Sequence, residues 1–311
     1  MTGSPLLNAP SPGDRPRVVV VGSANLDLFT ETPRLPRPGE TVLGTSVRRA
    51  PGGKGLNQAV AAAAFGARTT LIAAVGEDAP GSELLSALRE SGVDTARCRT
   101  LPGETTGTAV ITVDEEGANH IVVVPGANSS LTALTGADRE AIAQADVVLC
   151  QLEIPVETVA EAAAEARRHG VPVLLNVSPA RDLPPELLDS VSVLIVNEHE
   201  AEHLRRGRAG IPPGTAVLTT LGPDGAELAG ADGETPVRVA APPAAPVDTT
   251  GAGDTFAGTF AAATAERLPP AEALRIACAA ASVSVERPGA SASVPARGET
   301  DQRYRAFYGR R

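Results

Sequence analysis

Residues 147–177 read VVLCQLEIPVETVAEAAAEARRHGVPVLLNV. The opening part, residues 147–152, is a short apolar run of strand length. Residues 156–168 are rich in Ala and read as a helix that closes on Gly170, a residue suited to ending one. Residues 173–177 are a second apolar strand. The same alternation extends outward in both directions. Toward the N-terminus, RVVVVG at residues 17–22 reads as a buried strand. It is followed by an Ala-rich helix over residues 58–66, a strand over 69–75 and a helix over 83–91 that ends at Gly92. Toward the C-terminus, strands are expected at 193–196 and 217–221, and helices at 255–265 and 271–285. Strand–helix alternation of this kind predicts an α/β fold with a parallel sheet covered by helices on both faces.

Two stretches break the pattern. Residues 30–51 hold short extended segments between Pro and Gly. Residues 106–125 read as a hairpin, TAVITV and HIVVV around the turn DEEGAN. Both are expected to form antiparallel structure, a small sheet over the mouth of the main domain that acts as a lid over about 30–51 and 104–125. Residues 233–246 are rich in Pro and Ala and read as a strand with flanking loops. No internal repeat is visible.

Composition narrows the function. The 311 residues suffice for one large domain spanning residues 17–311. Hydrophobic residues make up 42% and aromatics only 2%, with no Trp, so the core is aliphatic and an aromatic platform for single-stranded nucleic acid is not expected. A net charge of −10 argues against a nucleic-acid binder, which needs a basic face. Cys98, Cys150 and Cys278 are odd in number and far apart, so neither a disulfide framework nor a zinc site is expected, and a reducing, cytoplasmic compartment fits. Residues 1–16 are rich in Pro, Gly and Ser without an apolar core, and read as a disordered tail rather than a leader. No long uncharged apolar run predicts a membrane span.

The sharpest local signal is DTTGAGDTFAG at residues 248–258. Gly251, Ala252 and Gly253 stand just before an apolar helix, where unpaired backbone N–H groups and the positive end of the helix dipole receive phosphate. Asp254 lies in the first turn. A carboxylate beside a polyphosphate is awkward unless it handles a proton or a metal, which makes it a candidate general base; the bland alternative is a helix N-cap. PGGKGLNQ at residues 51–58 precedes another Ala-rich helix but lacks Walker A spacing, so it is either a Gly-rich turn with a solvated Lys or a site where Asn57 and loop amides meet sugar hydroxyls. GSANLD at 22–27 follows the first strand, where Asn25 and Asp27 can hold polyol hydroxyls or make an Asx turn. NEHE at 197–200 and TLGPDG at 220–225 end later strands and are candidate nucleotide-pocket segments.

In this order, and with QLE at 151–153, these motifs resemble the ribokinase-like (PfkB) family of carbohydrate kinases across residues 18–295, most closely its D-ribose-phosphorylating branch. The resemblance implies a three-layer α/β/α domain with a mostly parallel central sheet and a small β-sheet lid that also forms a homodimer interface. It implies transfer of the γ-phosphoryl group of ATP to the O5 hydroxyl of ribose. Asn25, Asp27, Gly53, Lys54, Asn57 and Glu153 would surround the sugar. Asp254 would take the hydroxyl proton, and Gly251, Ala252 and Gly253 would form the anion hole. Asn197, Thr220, Leu221, Gly222, Pro223, Asp224 and Gly225 would line the ATP site with Gly253 and Asp254, and Cys278 would lie near the adenine. Glu200 would organise Mg2+ through water. A monovalent cation, usually K+, would be held by Asp248, Thr250, Ser284, Arg287, Gly289 and Ser293, mostly through carbonyls, with side-chain oxygens from Asp248 and Ser293.

Three features depart from the family pattern: a short segment between Glu200 and Thr220, Pro51 ahead of the Gly–Gly pair, and Cys278 where a larger polar residue is common. Alternative readings are a related kinase for another sugar or a nucleoside, against which the few aromatics argue, and a non-catalytic sugar-binding protein, against which the intact GAGD argues. A dinucleotide-binding dehydrogenase is not supported, because no G-x-G-x-x-G follows the first strand.

Overall fold

The computed structural model describes residues 15–206, 211–212, 214–230 and 235–309. Residues 1–14 of the expected tail, and part of the short segment after Glu200, lie outside them. The chain opens with β1 (Arg17–Val21), β2 (Asn25–Thr32), β3 (Ser46–Gly52), α1 (Lys54–Phe65), β4 (Arg68–Gly76), α2 (Ala79–Glu90), β5 (Cys98–Leu101), β6 (Gly107–Asp114) and β7 (Asn119–Val124). It continues through α3 (Gly136–Ala143), β8 (Val147–Cys150), α4 (Val156–Arg168), β9 (Val173–Asn176), α5 (Pro185–Leu188), β10 (Val193–Asn197) and α6 (Glu198–Arg206). Then come β11 (Ala216–Thr220), β12 (Ala226–Ala229), β13 (Val237–Val239), α7 (Ala252–Ala265), α8 (Pro270–Ser284) and α9 (Arg297–Tyr308).

Nine strands form the large sheet in the order β13-β12-β11-β10-β9-β8-β1-β4-β5, parallel except at β12 and β13. Successive side chains of a strand point to opposite faces, and both faces here are covered. Val18, Val20, Leu71, Leu149 and Leu174 pack with Leu56, Phe65, Phe256, Phe260 and Leu274. Val19, Val21, Ile72, Val148 and Leu175 pack with Ile142, Val159, Ala163 and Leu187 on the other side. This is the three-layer α/β/α architecture, and its strands are near-continuous Val/Leu/Ile runs because neither face meets water. Full burial of each such side chain stabilises the fold by about 1.5–3 kcal/mol. β1 pairs with β4 on one side and β8 on the other, so strand order runs outward from it in both directions. Such a reversal opens a crevice beyond the carboxyl ends of the strands.

Ala-rich α1 and α7 lie close together on one face. A Cβ at Gly258 would fall 2.2 Å from the Gln58 carbonyl oxygen and 2.7 Å from Ala61 Cβ. Glycine inside a helix costs about 1 kcal/mol relative to Ala; here the approach of α1 requires it.

The small sheet has the order β3-β2-β6-β7. Sequence patterning predicted antiparallel structure in both interrupting stretches; the structure joins them through a parallel β2–β6 ladder and starts β2 at Asn25. NLDLFTET alternates apolar and polar residues, a strand pattern hidden by reading GSANLD as a turn. Asn25 and Asp27 are therefore strand residues. Phe29, Ala109 and Ile111 make a small cluster on this sheet. Edge strand β7 leaves Ile121, Val122, Val123 and Val124 exposed. The strand expected within residues 233–246 is β13, whereas β5, α3, α5, β12 and α9 were not anticipated. Most of these are short or polar.

Candidate active site

Helix α7 is capped by Gly251, whose φ of 73° lies in the left-handed region and whose missing side chain gives way to Ala290. Gly251 occupies the cap position, so Asp254 is not the N-cap. Its carboxylate turns toward α1 instead: Oδ2 accepts from Asn57 Nδ2 at 3.0 Å and Oδ1 accepts from Gln58 Nε2 at 3.0 Å. Asp254 is only 7% exposed. The first amides of a helix have no intrahelical partners. Those of α7 start beside this carboxylate, and Gly253 is exposed, with nothing within 4 Å of where a Cβ would stand. An anion is favoured at such a terminus.

The expected acceptor-side residues converge around Asp254. Asp27 is buried on β2, and Gly52 makes room for it: a Cβ there would lie 2.0 Å from Asp27 Oδ2. Burial, then the nearby carboxylates of Glu153 and Asp254, push the Asp27 carboxyl up to about 7, with Arg48 opposing. Arg48 itself stacks over Phe29, 3.6 Å from the ring centroid. Lys54 feels burial first, which disfavours its charge, but Asp254, Glu153 and Glu200 outweigh this and hold its ammonium above the ordinary range. Glu153 Oε2 accepts from Ser23 Oγ at 2.6 Å and from the Lys54 amide at 3.0 Å. Asn25 Oδ1 accepts from Asn128 Nδ2 at 2.7 Å, and Asn128 Oδ1 accepts from the Ala24 amide at 3.0 Å. Gly53, with φ 87°, turns the chain from β3 into α1.

The expected nucleotide-side residues lie along neighbouring strand ends. Asn197 and Thr220 are register partners at the ends of β10 and β11. Asn197 and Glu200 cap α6 reciprocally: Asn197 Oδ1 accepts from the Glu200 amide and Glu200 Oε2 accepts from the Asn197 amide, each at 2.8 Å. Thr220 leads through Leu221 into a 3-10 turn over Gly222–Asp224, closed by the Leu221 amide donating to the Gly225 carbonyl at 2.8 Å. Gly222, Pro223 and Asp224 are exposed, while Gly225 is buried. Cys278 is buried in α8 beside Tyr308, whose hydroxyl donates to the carbonyl of Ala240 in the stretch that passes Gly225; burial pushes the thiol up to about 12.

The expected monovalent-cation residues form a third group. Asp248 Oδ1 accepts from the Thr250 amide at 2.9 Å and Oδ2 from the Gly289 amide at 2.8 Å, so one carboxylate ties two loops together. Partial burial works against its charge, but hydrogen bonds from Thr250 and Gly289 outweigh it and hold the carboxyl below its usual range. Ser284 and Ser293 are buried, their hydroxyls donating to the carbonyls of Ala281 and Ala290. Arg287 is ion-paired with Glu299 of α9. A carboxylate, hydroxyl oxygens and loop carbonyls are hard oxygen donors, a set that fits an alkali cation. Among the described residues no cluster of three or more His, Cys, Asp or Glu is placed to hold a metal ion.

Sequence reasoning missed Gln58, Asn176, Asn128 and Ser23. Gln58 directly follows Asn57 in PGGKGLNQ, and a second amide beside a pocket amide is the signal that could find it. Asn128 and Asn176 are distant in sequence from what they hold, and only the fold brings them in.

Comparison with known proteins agrees with this fold. The model of the pfkB family carbohydrate kinases matches residues 15–297. A ribokinase of Bacillus subtilis (strain 168) is 41% identical over 295 residues, spanning 92% of this chain and 98% of that protein. A ribokinase of Schizosaccharomyces pombe is 36% identical over 308 residues, 91% of this chain and 96% of that one. The solved structure of Arabidopsis thaliana ribokinase complexed with ribose and ATP superposes with a TM-score of 0.86 at 37% identity, covering 94% of this chain and 99% of that one. With its three-layer fold, its small sheet and Asp254 at the start of α7, this chain belongs to the pfkB family of carbohydrate kinases.

Proposed function

We propose that this protein is an ATP-dependent ribokinase that phosphorylates the O5 hydroxyl of D-ribose, giving ribose 5-phosphate and ADP. One observation carries the reading: a buried carboxylate, Asp254, held by two amides, stands in the first turn of a helix that starts at small residues, with Gly253 exposed and open space where its Cβ would stand. Ribose binds between Asp27, Asn25, Asn57 and Glu153, with Gly53 and Lys54 closing the side nearest α1. ATP lies along Asn197 and residues 220–225, its γ-phosphate directed at Gly251, Ala252 and Gly253. Asp254 orients the O5 hydroxyl and accepts its proton as the O5–phosphorus bond forms and the bond to the ADP oxygen breaks. The amides at the start of α7 neutralise charge gathering on the phosphoryl oxygens. The small sheet serves as the lid that excludes water from the transfer.

Mg2+ would accompany ATP, with Glu200 helping to hold it through water, and would supply positive charge against the phosphates. Such an ion is commonly held by substrate phosphates and few protein ligands. K+ or a similar ion suits the oxygen donors around Asp248 and Ser293. The exposed Ile121, Val122, Val123 and Val124 of β7 support a homodimer built through the lid, because an apolar edge strand is a template for pairing with another chain; sedimentation with and without Val122→Lys tests it. Three free cysteines fit a reducing cytoplasm. Among the described residues no helix is long and apolar enough to cross a membrane.

The decisive experiment is ADP release across a panel of sugars and nucleosides, with and without K+. Ribose should give the highest kcat/KM. A nucleoside or another sugar in that place would overturn the acceptor assignment, and ribose binding without ADP formation would overturn the kinase.

A further inference from the structure

Asp254 receives its two amide hydrogen bonds from residues in different situations. Asn57 gives its Nδ2 to Asp254, and its Oδ1 has no partner among the described residues. Gln58 is fully buried and spends both amide hydrogens inward: Nε2 donates to Asp254 Oδ1 at 3.0 Å and to Asn176 Oδ1 at 3.1 Å. Asn176 Nδ2 in turn donates to the Ile195 carbonyl of β10 at 3.2 Å.

The direction of this chain is fixed at its far end. A backbone carbonyl only accepts, so Asn176 must present its NH2 to Ile195 and its oxygen to Gln58. Gln58 must then present its NH2 to Asn176 and therefore to Asp254. Reversing the Gln58 amide would set its oxygen against two others, Asn176 Oδ1 and Asp254 Oδ1. The native orientation persists although Gln58 Oε1 has no protein partner. Gly258, one turn beyond Asp254, lets the Gln58 backbone come close enough to make the contact.

We propose that Gln58 is a positioning residue for phosphoryl transfer, holding the Asp254 carboxylate in one orientation through a chain of amides anchored on the carbonyl of Ile195. The inference rests on Asp254 acting as the base. Gln58 has no accessible surface, so its contribution falls on the rate of the chemical step and not on substrate affinity. A misplacement of about 1 Å in a reacting group costs on the order of 10²-fold in rate.

Gln58→Met, which keeps the length and removes the amide, tests this. The expected result is a kcat lower by about 10–100-fold, with KM for ribose and for ATP within about twofold of the parent. Asn176→Asp keeps the volume but removes the donor toward Ile195; it should lower kcat less, again at unchanged KM, and serves if Gln58→Met does not fold. Ribose binding by calorimetry and a thermal melt establish that each variant is folded. Parental kcat in both variants alongside an inactive Asp254→Asn would overturn the role of Gln58 and leave the base in place. Parental kcat in Asp254→Asn as well would remove the base itself. A rise in ribose KM without loss of kcat would make Gln58 part of the sugar pocket and also overturn the proposal.

Discussion

The proposed acceptor pocket and the proposed nucleotide ledge lie at strand ends on either side of β9 and are built on opposite plans. In the pocket, side chains hold side chains: Asp254 by Asn57 and Gln58, Asn25 by Asn128, Glu153 by Ser23. Most of these groups are buried. On the ledge, a capped helix start and a 3-10 turn offer mainly backbone, and three of its turn residues face solvent. The pocket is fixed before substrate arrives, so changes there should strike the rate or the sugar alone. With ATP on the ledge as proposed, recognition would run mainly through the main chain, so changes there should be milder and confined to ATP.

The largest expected effect is that of Asp254→Asn. Loss of a general base typically costs 10²–10⁴-fold, so kcat should fall by at least about 10²-fold with ATP binding nearly unchanged; stopped-time ADP assays and nucleotide titration check both. Asp27→Asn comes next. A hydrogen bond to a charged group is worth about 1.5–3 kcal/mol, so ribose KM should rise by about 10–100-fold while KM for ATP holds. If ATP affinity fell in step, the separation of the two regions would be broken.

The pH dependence sharpens the same contrast. The Asp27 carboxyl is raised to about 7, so below that pH the ligand-free protein holds it protonated. Ribose hydroxyls donating to Asp27 need the ionised form, and affinity should fall about tenfold per pH unit below 7, but not in Asp27→Asn. The sign for stability is opposite. A carboxyl with a raised folded pKa stabilises fully below its unfolded value of 3.8, and that contribution is lost as pH rises through about 7. Relative to Asp27→Asn, the ligand-free protein should therefore melt progressively lower between pH 4 and pH 8, by on the order of a few kcal/mol. The smallest effect is expected at Asn197→Ala. Losing a cap costs about 1 kcal/mol and should raise KM for ATP a few-fold without touching ribose, as parallel titrations would show.

Much of this was legible in the sequence because it is local. The β8–α4–β9 unit follows from apolar runs and a glycine stop, and the start of α7 follows from small residues ahead of an apolar helix. What escaped is long-range. Gln58 meets Asn176 across 118 positions and Asp254 across 196, distances over which no spacing rule operates. Strand β2 was hidden differently: its first residues look like a turn, and only pairing with Gly107 and Gly52 on either side makes Asn25 a strand residue.

The chain crosses between the two sheets at residues 22–24, at Gly53, at residues 102–106 and at Pro125, and these crossings are knotted together. Asn128 binds the Ala24 amide and the Pro125 carbonyl, the Ala127 amide meets the Thr105 carbonyl at 2.8 Å, and a Cβ on Gly53 would press on the Asn25 amide at 2.8 Å. Four strands leaving through one tied point behave as a single paddle on a single bearing. A displacement of that paddle as a unit would have to turn through Ser23 and Asn25, which are tied to Glu153 and Asn128, so the joint between the two sheets and the proposed sugar site share the same residues.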